Sequence, residues 1–166
     1  MTQPGPLGKI RVEHHAIQMQ TYQPQLLASI TNPSIGAGST GGRWWRDPIT
    51  GRVWGELYIL FGQGANPGDG IYRVTLPTPA TGFFSGGSTG RADIWGQFTV
   101  RDDSNTGGSV LGFLTRNTGS GGPGGVAVAD LSLLDGSGAA YIRNNVPFPF
   151  APGDAIVGRF DYMSPI

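Results

Sequence analysis

A two-sheet antiparallel β-sandwich, the jelly-roll kind of all-β fold, is what this sequence predicts, from three observations. The first is punctuation: 29 glycines and 13 prolines stand among 166 residues, too many for long helices to survive. The second is placement, because these residues separate short runs rich in apolar and aromatic side chains instead of spreading evenly as in a disordered chain. The third is period: the runs alternate apolar and polar residues, which is the mark of strands buried on one face. About eight such runs at close spacing fit one domain built of two sheets, and the length suits one core.

Residues 1–27 differ from the remainder and are read as an N-terminal arm, leaving 28–166 as the β-sandwich domain. The arm holds both histidines and a glutamine cluster of Gln18, Gln20, Gln23 and Gln25. Within it, Ile10 to Glu13 reads as a short strand and His15 to Gln20 as a second strand or a helical turn. Gly42 to Arg46 is an aromatic strand, and Asp47-Pro48-Ile49-Thr50-Gly51 carries the residues of a hairpin turn. Arg52 to Phe61 alternates, with Val53, Leu57, Ile59 and Phe61 on one parity and Trp54, Glu56 and Tyr58 on the other. After the loop 62–70, Ile71 to Leu76 forms a strand that Pro77 and Pro79 are expected to stop. Further strands are predicted at Asp93–Arg101, Ser109–Arg116, Val126–Leu134, Ala139–Arg143 and Asp154–Tyr162.

Charge and composition narrow the function classes. Eleven basic and eleven acidic residues cancel, and without a basic stripe nucleic acid is not an expected partner. Cysteine is absent, so thiolate metal sites and disulfide staples are excluded. No run reaches the ~18 apolar residues of a membrane helix, and Met1 to Pro6 has no charged-then-apolar leader pattern. The chain is therefore expected to be made in the cytoplasm, with no membrane partner.

Each motif that suggests chemistry has a plainer explanation. Gly36-Ala37-Gly38-Ser39-Thr40-Gly41 and Gly119-Ser120-Gly121-Gly122-Pro123-Gly124 spell G-x-G-x-x-G. Neither opens a helix, whose N-terminal amides a dinucleotide phosphate needs. His14 and His15 are adjacent, so on a strand they point to opposite faces and cannot converge on a metal or a nucleophile. Asp102-Asp103 leads into a Ser-Asn-Thr-Gly-Gly turn. Glu56 reads as a cross-strand partner of Arg43 or Arg73 before a glycosidase acid. Asp69 lacks the acidic companions of a calcium cage. No catalytic, cofactor-binding or metal-binding residue is assigned, no cofactor is expected, and the chain is not expected to be an enzyme.

The aromatics say more. Trp44, Trp45, Trp54, Tyr58 and Phe61 fall on two neighbouring strands. Trp44 and Trp45 must face opposite sides, one toward the core and one toward the outer face or a subunit contact.

Five segments in order then resemble one family. Ile30-Thr31-Asn32-Pro33-Ser34-Ile35-Gly36-Ala37-Gly38-Ser39 is similar to a "TNPxxGxGx" opening, and Gly42-Arg43-Trp44-Trp45-Arg46 to a G-R-Y-x-R strand. Gly55 to Gly62 resembles that family's long second strand, Gly68 to Pro77 its "GxGxYxxxLP" hairpin, and Val146 to Asp154 its "vPFtwaxGD" lead into the last strand. The pattern is that of C1q/TNF-like jelly-roll domains of phage virion proteins, over roughly residues 30–162. The Asp47–Gly51 turn departs from it by being longer.

The resemblance implies an exposed homotrimer at the virion surface and carries over no catalytic residue. A domain this small, without a long stalk, fits a capsid decoration protein whose partner is the major capsid protein. The alternative is a minor tail or receptor-binding protein whose Gly-rich loops touch a host glycan. Arg43, Trp44, Trp45, Arg46 and Tyr58 are the candidate trimer contacts. Ile10, Val12, His14, His15 and Tyr22 are the candidate capsid contacts of the arm.

Overall fold

The structure is a computed structural model and describes residues 18–80, 94–105, 108–116, 126–134 and 139–164. Among them there is no helix. Ten strands are present: β1 (Gln20–Tyr22), β2 (Leu26–Ala28), β3 (Ser39–Arg46), β4 (Arg52–Leu60), β5 (Tyr72–Ala80), β6 (Ile94–Asp102), β7 (Gly108–Arg116), β8 (Val126–Leu134), β9 (Ala139–Tyr141) and β10 (Ala155–Met163). The chain is all-β, as its punctuation and alternation predict.

All ten strands join in one antiparallel path instead of two separately bonded sheets. Its order is β1-β3-β4-β10-β6-β7-β8-β5-β2, with β9 beside β8. Strands β6, β7 and β8 form a meander, and β5 returns to lie against β8, which makes a Greek key. The path curls. Its two edge strands are consecutive in the chain, and the four-residue step from Tyr22 to Leu26 spans at most about 14 Å. Across the interior, the Tyr162 hydroxyl of β10 donates to the Thr78 carbonyl of β5 at 2.9 Å, although three strands separate β10 from β5 in the order.

The alternation of each strand supplies the inner face. Val53, Leu57 and Ile59 of β4 meet Ile156, Phe160 and Tyr162 of β10, Phe98 and Val100 of β6, and Leu131 of β8 in one core. Aromatic rings close both ends. Phe61, Tyr72 and Phe148 surround Phe150 at 5.0–5.4 Å, while Phe160, Tyr162, Tyr22 and Trp95 meet at the other end. Several rings lie on strand glycines. A Cβ at Gly112 would come 2.3 Å from the Phe98 ring, and one at Gly55 2.6 Å from the Phe160 ring.

One local reading resolves differently from expectation, and two others gain a structural setting. Strand β5 continues past Pro77 and Pro79 to Ala80. Its ladder with β8 shifts register between Thr75 and Ala80, where the prolines have no N–H to give. The arm boundary at 27 cuts through β2, and Leu26 is buried in the core. The Gly36–Gly41 segment serves close backbone contact: a Cβ at Gly36 would lie 2.3 Å from the Gln63 carbonyl oxygen, and one at Gly38 1.9 Å from that of Leu60. The second glycine segment, 119–124, lies outside the described residues.

The 47–51 turn forms as its residues dictate. Asp47 accepts from the Ile49 N–H at 2.8 Å and the Thr50 hydroxyl at 2.7 Å, and Gly51 takes the positive φ of 73° that closes it. Those hydrogen bonds hold the Asp47 carboxyl below its ordinary range, the Thr50 hydroxyl first. At the other end of β4, the fully buried Asp154 accepts from the Ala151 N–H at 2.7 Å and the Ser104 N–H at 3.0 Å. It thereby ties the β6–β7 turn to the start of β10.

Candidate functional site

The outer face of β3, β4, β10 and β6 is where exposed aromatic, apolar and charged residues gather. Cross-strand partners share a face, so the ladder registers define rows running across the strands. One row is Thr21, Arg43, Glu56, Arg159 and Gln97. Beside it runs Gly41, Tyr58, Val157, Thr99 and Leu111. On the opposite side come Trp45, Trp54 and Asp161.

Ion pairs order the charged groups. Arg43 Nε donates to Glu56 at 2.6 Å, one of the two cross-strand pairs expected for Glu56. Arg52 grips Asp161 with two donors, Nε at 2.8 Å from Oδ1. That hydrogen bond, then the carboxylate charge, raises the Arg52 guanidinium above its ordinary value. Arg159 stands between the two pairs. Neither an ion pair nor a hydrogen bond engages its side chain among the described residues.

Three adjoining depressions of 590, 430 and 320 Å³ lie over this face, and Arg159 lines each of them. Trp54 borders the two smaller ones, and Tyr58 and Val157 the largest. Beyond Tyr58 the surface turns apolar: Tyr58 (44%), Leu60 (38%), Val157 (44%) and Leu111 (58%) are all exposed. Trp45 and Trp54 pack ring on ring at 5.7 Å.

The five candidate contacts divide by parity. Arg43, Trp45 and Tyr58 lie together on this outer face. Trp44 and Arg46 share the parity of Gly55 and Val53, and Trp44 packs against the core. Tyr22, a candidate arm contact, sits in β1 with its ring edge-on to Phe160 at 6.0 Å. Burial raises its hydroxyl well above the usual tyrosine range, and nearby Tyr162 adds to this. Ile10, Val12, His14 and His15 lie outside the described residues. Among the described residues no three His, Asp or Glu side chains gather to hold a metal, and the Asp69 backbone ladders with Thr31.

Sequence reasoning missed Arg159, Gln97, Val157 and Leu111. Their exposed parity was readable within β10, β6 and β7, but their adjacency to Glu56 and Tyr58 depends on β10 lying between β4 and β6. Compared with protein-family models, curated proteins and solved structures, the chain matches none.

Proposed function

We propose that this chain is a structural protein of a bacteriophage virion, a decoration protein that binds the outer shell as a homotrimer. The observation that carries the reading is the apolar strip of Tyr58, Leu60, Val157 and Leu111 on one open sheet face. A monomer rarely leaves such a patch to water without a partner, and aromatic side chains are favoured in contact centres. The ordered segments similar to phage virion domains supply the setting. With them goes the jelly-roll reading, in which β4-β10-β6 and β5-β8 are the two facing layers of a sandwich.

The function is binding alone: a trimer bridging neighbouring capsid subunits stabilises the shell by linkage. Residues 1–17 are the segment expected to meet the particle, since β1 and β2 belong to the sheet. Light scattering after size separation is expected to give three times the 17.4 kDa chain mass. Leu111→Asp is expected to reduce that mass without unfolding the domain. A monomeric wild-type chain at tens of micromolar would overturn the trimer. Cryo-electron microscopy of the virion then locates the chain: trimers over the head lattice support decoration, while density confined to the tail makes it a minor tail or receptor-binding protein. Deletion of residues 1–17 is expected to abolish particle binding and leave the trimer intact.

A further inference from the structure

A trough crosses the outer face beside the apolar strip. Its floor is the single row Thr21, Arg43, Glu56, Arg159 and Gln97. Five strands spaced about 4.8 Å apart make it roughly 19 Å long. Tyr58 and Val157 form one bank, and Trp45 and Trp54 the other. Because the banks lie two residues to either side of the floor, they stand about 14 Å apart. The three depressions share Arg159 and lie to either side of this row, the largest toward Tyr58 and Val157 and the two smaller toward Trp54.

Arg159 is the feature that asks for a ligand. Its two nearest carboxylates in the row pattern are both taken, Glu56 by Arg43 and Asp161 by Arg52. A guanidinium presents a planar fork that fits a carboxylate with two parallel hydrogen bonds. Beside it in the row, the Gln97 amide donates and accepts and the Glu56 carboxylate accepts, and at the far end of the row the Thr21 hydroxyl does both. Trp54 and Tyr58 stand exposed at the banks, offering apolar ring surface next to those polar groups.

This layout is the reverse of a protein contact, whose centre is apolar and depleted of charge with polar groups at the rim. Here charge occupies the centre and rings occupy the banks. A sugar ring matches it: hydroxyls around its equator both donate and accept, while its C–H faces cover an aromatic ring. A carboxylate on that sugar completes Arg159. The geometry points to an acidic oligosaccharide, a short chain of uronic-acid sugars, lying along the trough with a carboxylate on Arg159. The site borders the subunit contact of the preceding section, sharing Tyr58 and Val157 with its apolar strip, and it stands whether the chain sits on a head or a tail.

The test titrates the full chain with tetragalacturonate, tetramannuronate and a hyaluronan tetrasaccharide, with maltotetraose as the neutral control. Tryptophan emission, compared between wild type and Trp54→Phe, reports on Trp54 among the four tryptophans, and calorimetry supplies affinity. Saturable binding of at least one acidic tetrasaccharide is expected, ten-fold or more tighter than maltotetraose. Arg159→Gln is expected to weaken it at least ten-fold, and Trp54→Ala to weaken both acidic and neutral binding, with melting temperatures unchanged. Leu111→Asp, outside the trough, is expected to leave affinity unaltered even if it changes the mass. Absence of saturable binding by all three acidic probes overturns the inference, as does an Arg159→Gln protein that binds like the wild type. So does equal affinity for maltotetraose. If Arg159→Gln instead lowers the oligomer mass, the trough belongs to a subunit contact and the glycan site is refuted while the trimer reading survives.

Discussion

Replacing Asp154 by alanine tests how the curled sheet is held at one end. Its carboxylate has no solvent exposure and accepts two backbone N–H groups, one three residues back at Ala151 and one fifty residues away at Ser104. Hydrogen bonds to a charged acceptor contribute about 1.5–3 kcal/mol each, and the two orphaned donors have no alternative partner on that side chain. Against this stands the cost of burying a carboxylate, which the substitution removes. The net loss expected is about 2–4 kcal/mol, which for a chain of this length lowers the melting temperature by roughly 4–16 °C. Asp154→Asn retains one acceptor but points an NH₂ at the other donor, so it should recover only part of the loss. Denaturant unfolding measures the total. Amide hydrogen exchange separates the cause, because protection should fall at Ser104 and Ala151 while the Phe61 N–H, bonded to the Asp154 backbone carbonyl at 2.9 Å, changes less. A loss below about 0.5 kcal/mol, or unchanged exchange at Ser104, would refute the role of Asp154 as a tie between β10 and the β6–β7 turn.

Three further outcomes follow from the same structure. Gly112→Ala places a Cβ 2.3 Å from the Phe98 ring and 2.7 Å from the Ser132 carbonyl oxygen, so overpacking should cost about 1–3 kcal/mol. Phe98→Leu in the same chain should return part of that cost, and simple additivity of the two would count against the ring contact. The Tyr22 hydroxyl is buried with no hydrogen-bond partner among the described residues, so Tyr22→Phe should be neutral or stabilising by up to about 1 kcal/mol; a clear loss in denaturant melts would mean the hydroxyl is satisfied. Burial raises the hydroxyls of Tyr22, Tyr72 and Tyr162 above their ordinary 10.0. Folding thus favours their protonated forms, and the contribution is complete below pH 10 and lost as pH rises beyond it. Stability measured from pH 8 to 12 should fall in the upper half of that range, less steeply in Tyr22→Phe.

The Arg73–Asp130 pair separates two effects that often travel together. Asp130 is buried, and its carboxyl is raised mainly by that burial although Arg73 Nε at 2.9 Å opposes the shift. Its contribution to stability is therefore fully present below the ordinary 3.8 and is lost as pH rises through the folded value. The exposed Arg43–Glu56 pair on the outer face works in higher dielectric and should contribute little to stability.

Much of the fold was legible residue by residue. The alternation from Arg52 to Leu60 announced β4 and the parity of its buried face. The Asp47–Gly51 segment announced its own turn, because a carboxylate capping two N–H groups and a glycine at positive φ are local chemistry. The opposite facing of Trp44 and Trp45 followed from the pleat alone. A cross-strand arginine partner for Glu56 was readable too, but the choice of Arg43 over Arg73 came with the β3–β4 register.

What tertiary structure decided was which strands became neighbours. Strand β10 lies between β4 and β6, more than fifty residues from either in the chain, and only that placement sets Arg159 between Glu56 and Gln97. The end of β5 escaped prediction for a related reason: whether a proline stops a strand depends on whether its missing N–H would have met a partner. Likewise, Tyr22 and Leu26 joined the sheet because its curling brought two edges close enough for one short link to bridge them. Side-chain alternation belongs to each strand separately, whereas every strand edge offers the same N–H and C=O groups. The choice among edges is made by how all the inner faces pack at once, and the trough on the outer surface is a consequence of that packing.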